Sequence, residues 1–206
     1  MPKEPAPRDK HKARMIETAV RILESEGLPA LQARRIALDC GCSVGTLYNM
    51  FEGLDDLIVQ ANARTLERLR TALVDRVEDE PAADTTRRLM SVALAYLAFA
   101  LENPLPWRAL FEHRPADQWI PPTWYRESQA ELYAIVETVL SDSMCSAPER
   151  RRCARAIFAA IHGIVALALG RKMGNPDVAD LEAQIRFVVA APADGLRHLN
   201  AATAEI

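Results

Sequence analysis

The side chains able to do covalent or metal chemistry are few and poorly spaced for it. Cys40, Cys42, Cys145 and Cys153 offer no Cys-x-x-Cys pair. They read as small, reduced packing residues of a cytoplasmic protein, so no metal, disulfide or cofactor is expected. His162 with Glu102 or Cys153 is the one enzyme-like combination, and no nucleophile, base and orienting group can be picked out around it. A helical enzyme is therefore the weaker reading. Hydrogen-bonding and methyl-bearing side chains, which serve non-covalent recognition, gather instead in residues 31–51, LQARRIALDCGCSVGTLYNMF. There Ala37, Gly41 and Leu47 stand at helix-turn-helix spacing: a small residue where two helices cross, a glycine for the sharp turn, and a leucine that pins the second helix on the first.

The elements that must hold this stretch follow from periodicity. Met15, Ala19 and Leu23 fall four apart, as do Ile16 and Val20, which predicts a first helix ending at Glu26-Gly27, with Pro29 barring continuation. A second helix begins at about Ala30 and carries Ala33, Ile36, Ala37 and Cys40 on one face as far as Gly41. Ser43 is placed to cap a third, over about Ser43 to Met50, whose apolar face is Leu47 and Phe51. From Gly53 the series Leu54, Leu57, Ile58, Ala61, Leu66, Leu69, Leu73 runs to about Val77, long enough to bridge two parts of a molecule. Further helices are expected over about 84–102, 104–114, 122–143, 148–173 and 177–199, with prolines at the gaps and Pro192 kinking the last. No strand pattern occurs. The fold class is all-α: a three-helix head over 1–53, then a bundle of five or six helices over 54–206.

Charge and composition bound the function. Half of the 206 residues are apolar and only eight are glycine, as in an ordered helical protein. The net charge of −3 argues against indiscriminate coating of nucleic acid. Through Phe51 there are eight Lys and Arg against six acids, and beyond it seventeen against twenty-two, a basic head on an acidic body. The opening MPKEPAPRDKHKAR lacks the apolar segment of a secretory signal. It reads as a flexible arm whose Arg8, Lys10 and Lys12 can follow a DNA backbone or enter a minor groove. The longest nearly uncharged runs, Leu89 to Leu101 and Ala156 to Gly170, fall short of the roughly 18 apolar residues of a membrane span. Both read as buried helices, and no membrane partner is expected.

A first helix ending in Glu-Gly, the pair Ile36-Ala37, Gly41, Ser43, Thr46-Leu47-Tyr48 and Phe51 together resemble the tetracycline-repressor (TetR) family over about residues 8–58. The resemblance implies a homodimer whose third helix enters the major groove of double-stranded DNA. It also implies phosphate contacts from Gln32, Thr46 and Tyr48, which would fix register, and a base-edge contact from Arg34. Because no Lys or Arg lies between Cys42 and Phe51, base reading falls to Ser43, Val44, Thr46 and Asn49. Asn suits adenine, and the Val and Thr methyls suit the thymine methyl. One departure is plain. After Phe51 the family usually has a small polar residue and then a phosphate-touching lysine, whereas this chain has Gly53 and Leu54 before Asp55 and Asp56.

Past residue 80, Tyr96-Leu97-Ala98-Phe99-Ala100-Leu101-Glu102-Asn103-Pro104, Trp107, Leu110-Phe111 and Ile161-His162-Gly163 resemble the ligand-binding domain of a TetR subgroup named for a Trp-His-Gly signature. Phe158 stands about where that subgroup has its Trp. The resemblance implies a small-molecule effector. Tyr96, Phe99, Trp107, Phe111, Trp124 and Phe158 are the candidate walls of its pocket, with His162 or His113 as polar anchor. Gly163 with Ala159, Ala160, Ala166 and Ala168 suits close helix contact, which with segment 177–199 would form a four-helix dimer interface. A repressor released by its effector is the leading reading; an activator or a nucleoid-associated helical protein is the alternative.

Overall fold

The computed structural model describes residues 7–79, 84–142, 146–174 and 176–190. Every regular element among them is helical: α1 (Pro7–Ser25), α2 (Ala33–Asp39), α3 (Val44–Tyr48), α4 (Leu54–Asp79), α5 (Thr85–Glu102), α6 (Pro104–Glu112), α7 (Thr123–Val139), α8 (Ala147–Leu169) and α9 (178–190). Short 3₁₀ turns cover Leu28–Ala30 and Leu140–Asp142. The expected kink at Pro192, and Cys145, lie outside the described residues.

By contact the chain forms two compact units, residues 1–68 with 103–128, and residues 69–102 with 129–206. The core of the first is built by the predicted stripes. Met15, Ala19, Ile22 and Leu23 of α1 meet Ile36 and Cys40 of α2, Leu47 of α3, Phe51, and Leu57, Ile58 and Ala61 of α4. Met15, Ala19, Ile36, Leu47 and Leu57 are fully buried. Ala109 of α6 belongs to the same cluster, so a segment fifty residues downstream in the chain completes the head. Leu105 also packs at the α1 C-terminus, its Cδ2 3.3 Å from where a Cβ on Gly27 would lie.

Two sequence expectations change here. The basic residues Arg8, Lys10 and Lys12 are helical, not an arm: α1 is already formed at Pro7. Proline suits a first turn, where its missing N–H costs nothing, and Asp9 there complements the helix dipole. The second helix begins at Ala33 rather than Ala30, because Pro29 directs Leu28–Ala30 into a 3₁₀ turn and Gln32 stays extended at φ −120°, ψ 140°.

The second unit packs the C-terminal part of α4 with α5, most of α7, α8 and α9. Leu69 and Leu73, Val92, Tyr96 and Leu97, Leu132, Val136 and Val139, Ile157, Ile161 and Val165, and Leu181, Ile185 and Val189 are among its buried apolar side chains. Ser146 and Glu149 form a reciprocal cap at the start of α8, and those hydrogen bonds hold the Glu149 carboxyl below its usual range. The expectation of a buried helix fails for α8. It is long and apolar enough to cross a membrane by length and composition, with a mean hydropathy of 1.6, yet only 22% of that window is buried. Ala159 and Ala160 are exposed, Leu167 is 43% exposed, and nothing approaches the Cβ position of Gly163. The small residues leave an apolar face that no described residue covers.

Candidate nucleic-acid interface

The turn between α2 and α3 is made by Gly41, at φ +65°, a left-handed conformation open to glycine at little cost. Ala37 is buried at the crossing and Leu47 is fully buried beneath α3. Ser43 caps α3: its Oγ accepts from the Thr46 N–H at 3.1 Å and lies 2.9 Å from the Thr46 hydroxyl. These three fixtures turn one side of α3 inward and the other outward. Gln32, Arg34, Ser43, Tyr48 and Asn49 are exposed, and Val44 and Thr46 half-buried, so all seven predicted DNA-contacting residues lie on or at the edge of an accessible surface.

Neighbouring charges sort themselves by partner. Arg35 bridges Asp39 at 3.2 Å and Glu26 at 3.1 Å, and the bond to Asp39 holds its guanidinium above its ordinary range. Arg34 is exposed and has no ion pair among the described residues. Arg8 donates to the Asn49 carbonyl at 3.0 Å, and the Lys12 ammonium lies 5.1 Å over the Phe51 ring. The start of α1 thus braces the C-terminal end of α3, a contact between residues forty-one apart that periodicity could not reveal.

The acids that follow Leu54, which stands where the resemblance led to a lysine, are turned to internal partners. Asp56 accepts from the Glu52 N–H and from Gln60 Nε2, each at 3.2 Å. Asp55 accepts from His113 Nε2 at 2.8 Å and from the Ala116 N–H at 3.2 Å. Sequence reasoning placed His113 in an effector pocket; in the structure it is the C-cap residue of α6 and faces the start of α4.

The predicted effector residues separate into four places. Tyr96 of α5 and Phe158 and His162 of α8 come together in the second unit. The Tyr96 hydroxyl lies 2.8 Å from His162 Nδ1, the His162 ring stacks on Phe158 at 5.8 Å and 9°, and Tyr96 meets Phe158 edge-on at 5.5 Å. Tyr133 of α7 joins them, 4.9 Å from Phe158; it was missed in the sequence because it falls one position off the buried Leu132, Val136 stripe of its helix. Burial holds the His162 imidazole below its ordinary range, so a neutral ring faces the tyrosine hydroxyl near neutral pH. Phe99 borders a different cavity of the second unit, about 560 Å³, whose charged lining is Asp75, Arg76, Glu78, Asp79 and Glu102. Trp107 and Phe111 pair along α6 at 5.0 Å in the first unit. Trp124, also there, is 40% exposed beside Ile16, Arg64 and Glu67 in a cavity of about 270 Å³.

Two further features bear on assembly and chemistry. A groove of about 490 Å³ lies between α8 and α9, lined by Ile164, Ala183, Gln184, Phe187 and Val188, with Phe187 77% exposed. No group of His, Cys, Asp or Glu among the described residues could hold a metal ion, and Cys40, Cys42 and Cys153 are in no disulfide.

Residues 89–191 match the family described as tetracyclin repressor-like, C-terminal domain. That match lends no support to the narrower Trp-His-Gly subgroup. No curated protein matches. Among solved structures, a protein of unknown function from Rhodococcus sp. RHA1 has a TM-score of 0.67 at 22% identity, covering 94% of this chain and 97% of its own. A TetR-family transcriptional regulator from Streptomyces coelicolor has a TM-score of 0.65 at 22% identity, covering 95% of this chain and 83% of its own. A TetR transcriptional regulator from Rhodococcus sp. RHA1 has a TM-score of 0.61 at 16% identity, covering 89% and 96%. At these identities the likeness is one of fold.

Proposed function

Because this chain belongs to the tetracyclin repressor-like family of DNA-binding transcription regulators, we propose that it is a homodimeric repressor, released from a pseudo-palindromic operator by a small apolar or aromatic ligand. The observation that carries the DNA-reading role is the accessible face of α3. Leu47 is fully buried beneath it while Tyr48 is 54% exposed and Asn49 stands beside it. In this reading Gln32, Thr46 and Tyr48 hold phosphate, Arg34 reaches a base edge, and Ser43, Val44, Thr46 and Asn49 read bases. Residues 1–53 supply the reading surface and 54–206 the effector site and dimer contact. Two copies would address successive major grooves about 34–36 Å apart.

The dimer contact is assigned to the uncovered apolar face of α8 and α9, around Gly163, Leu167 and Phe187. The effector is assigned to the Tyr96, Tyr133, Phe158 and His162 cluster, where aromatic rings surround two polar groups able to orient a ligand. Binding there depopulates the DNA-fitting conformation by the ligand's differential affinity for the two states.

The test is a footprint on the intergenic DNA beside its own gene, followed by affinity measurements on the protected site. Asn49→Ala should relax base preference at one position of each half-site, and Tyr48→Phe should weaken all sites alike. Both variants binding like wild type would overturn the residue roles. Broad coverage without a discrete footprint would overturn specific control.

A further inference from the structure

We propose that Arg8 sets base specificity without touching a base: by holding the main chain at Asn49 it aims that side chain, a role that rests on Asn49 being a base-reading residue of α3.

Helix α3 is five residues long and carries no cation in its last turn. A helix this short has little stability of its own, and its last carbonyls need donors from outside it. Backbone N–H groups meet part of that need. The Asn49 N–H donates to the Gly45 carbonyl at 3.0 Å, and the Met50 and Phe51 N–H groups donate to the Leu47 carbonyl at 2.9 and 3.0 Å. The Asn49 carbonyl is met from α1, where Arg8 Nη2 donates to it at 3.0 Å. A guanidinium at a helix C-terminus adds a favourable charge to the hydrogen bond, and here the cation that α3 lacks is lent by another helix.

One turn further along α1 the Lys12 ammonium stands 5.1 Å over the Phe51 ring. Two cations on one face of α1 thus hold the two ends of the short exit from α3, residues 49–51. The ends differ in what else fixes them. Phe51 is 3% exposed and belongs to the core of the head. Asn49 is exposed, and among the described residues Arg8 makes the one hydrogen bond that ties it to another helix. Loss of that bond frees the rotation of the Asn49 carbonyl and with it the seat of the last turn of α3. A side chain that must meet a base edge tolerates only about 0.5 Å or 10–20° of misplacement. Arg8 is therefore a positioning residue acting through Asn49.

The experiment is a fluorescence-anisotropy titration of the full chain with the footprinted operator duplex and with duplexes substituted symmetrically at each half-site position. The proteins are wild type, Arg8→Ala, Asn49→Ala and the double variant. Asn49→Ala marks the position that Asn49 reads. Arg8→Ala is expected to lower discrimination at that same position by about 3- to 10-fold, part of what a good Asn–adenine pair supplies, and to leave discrimination elsewhere as in wild type. Added to Asn49→Ala, it should cost no further discrimination. Thermal unfolding of each variant corrects for any loss of folded protein. In the free protein, hydrogen exchange at the Met50 and Phe51 amides should be faster in Arg8→Ala than in wild type. Weakening of every duplex by one factor, with the salt slope reduced by about one, would make Arg8 a phosphate contact and overturn the positioning role. Unchanged discrimination at the Asn49 position in a folded Arg8→Ala would overturn it too. An Asn49→Ala profile identical to wild type would instead remove the premise that Asn49 reads a base, and the aiming role with it.

Discussion

The uncovered face of α8 and α9 makes a quantitative prediction through Phe187. Its side chain is 77% exposed in the single chain. A phenylalanine buries about 150–250 Å² when fully covered, so the part available to a partner is worth about 3–5 kcal/mol at about 25 cal/mol per Å². A two-fold interface covers the residue twice, and covering half of the exposed area in each copy gives about 3–5 kcal/mol per dimer. Phe187→Ala should therefore raise the dimer dissociation constant by roughly a hundred- to a few-thousand-fold. Sedimentation velocity over a dilution series reads the constant directly. Ring truncation leaves the fully buried Ile185 and Val189 in place, so the fold of the protomer should survive, which circular dichroism checks. An unchanged dissociation constant in a well-folded variant would show that the interface lies elsewhere, and the apolar face of α8 would need another occupant.

Three further outcomes follow from local geometry. At Gly41 an added Cβ meets nothing within 4 Å, so Gly41→Ala should cost only the left-handed backbone, about 1 kcal/mol in urea denaturation; a loss several times larger would show a steric role. Ser43→Ala removes the α3 cap and should cost about 1 kcal/mol, a loss that an unchanged denaturation midpoint would contradict. Burial holds the His162 imidazole below its ordinary range, so between its folded value and about 6.5 the unfolded chain carries the extra proton. That stability is complete above about pH 6.5 and lost as the pH falls. Melting temperatures should converge between wild type and His162→Gln on going from pH 7.5 to 5.5, and a constant difference would refute the assignment.

The head was legible because its determinants are local. The stripe of Met15, Ala19 and Leu23, the punctuation by Gly27 and Pro29, Gly41 and the Ser43 cap each act within a few residues, and the helices they predict lie within a few residues of those observed. The one late start, α2 at Ala33, traces to a 3₁₀ turn that Pro29 favours and periodicity cannot resolve. Contacts made at long range were not legible. His113 and Asp55 are fifty-eight residues apart and Tyr96 and His162 sixty-six; neither spacing carries a signal, and only the packing of α6 on the head and of α5 on α8 brings them together. Aromatic composition likewise pointed to one pocket, whereas packing divides those rings among α5, α6, α7 and α8. The buried reading of α8 failed for a different reason: an apolar run looks the same whether its cover is its own chain or another.

The membership of α6 in the head's core has a consequence for building chimaeras. A reading head transplanted onto another body by a cut at residue 53 would arrive without Leu57, Ile58, Ala61 and Ala109 in its core and without Leu105 against Gly27. A graft that carries residues 1–68 together with 103–128 keeps the whole unit. The modular swap suggested by the order of the chain is thus a two-piece transplant, and hybrids cut at the linear boundary should express as poorly folded protein even where their operator-facing residues are intact.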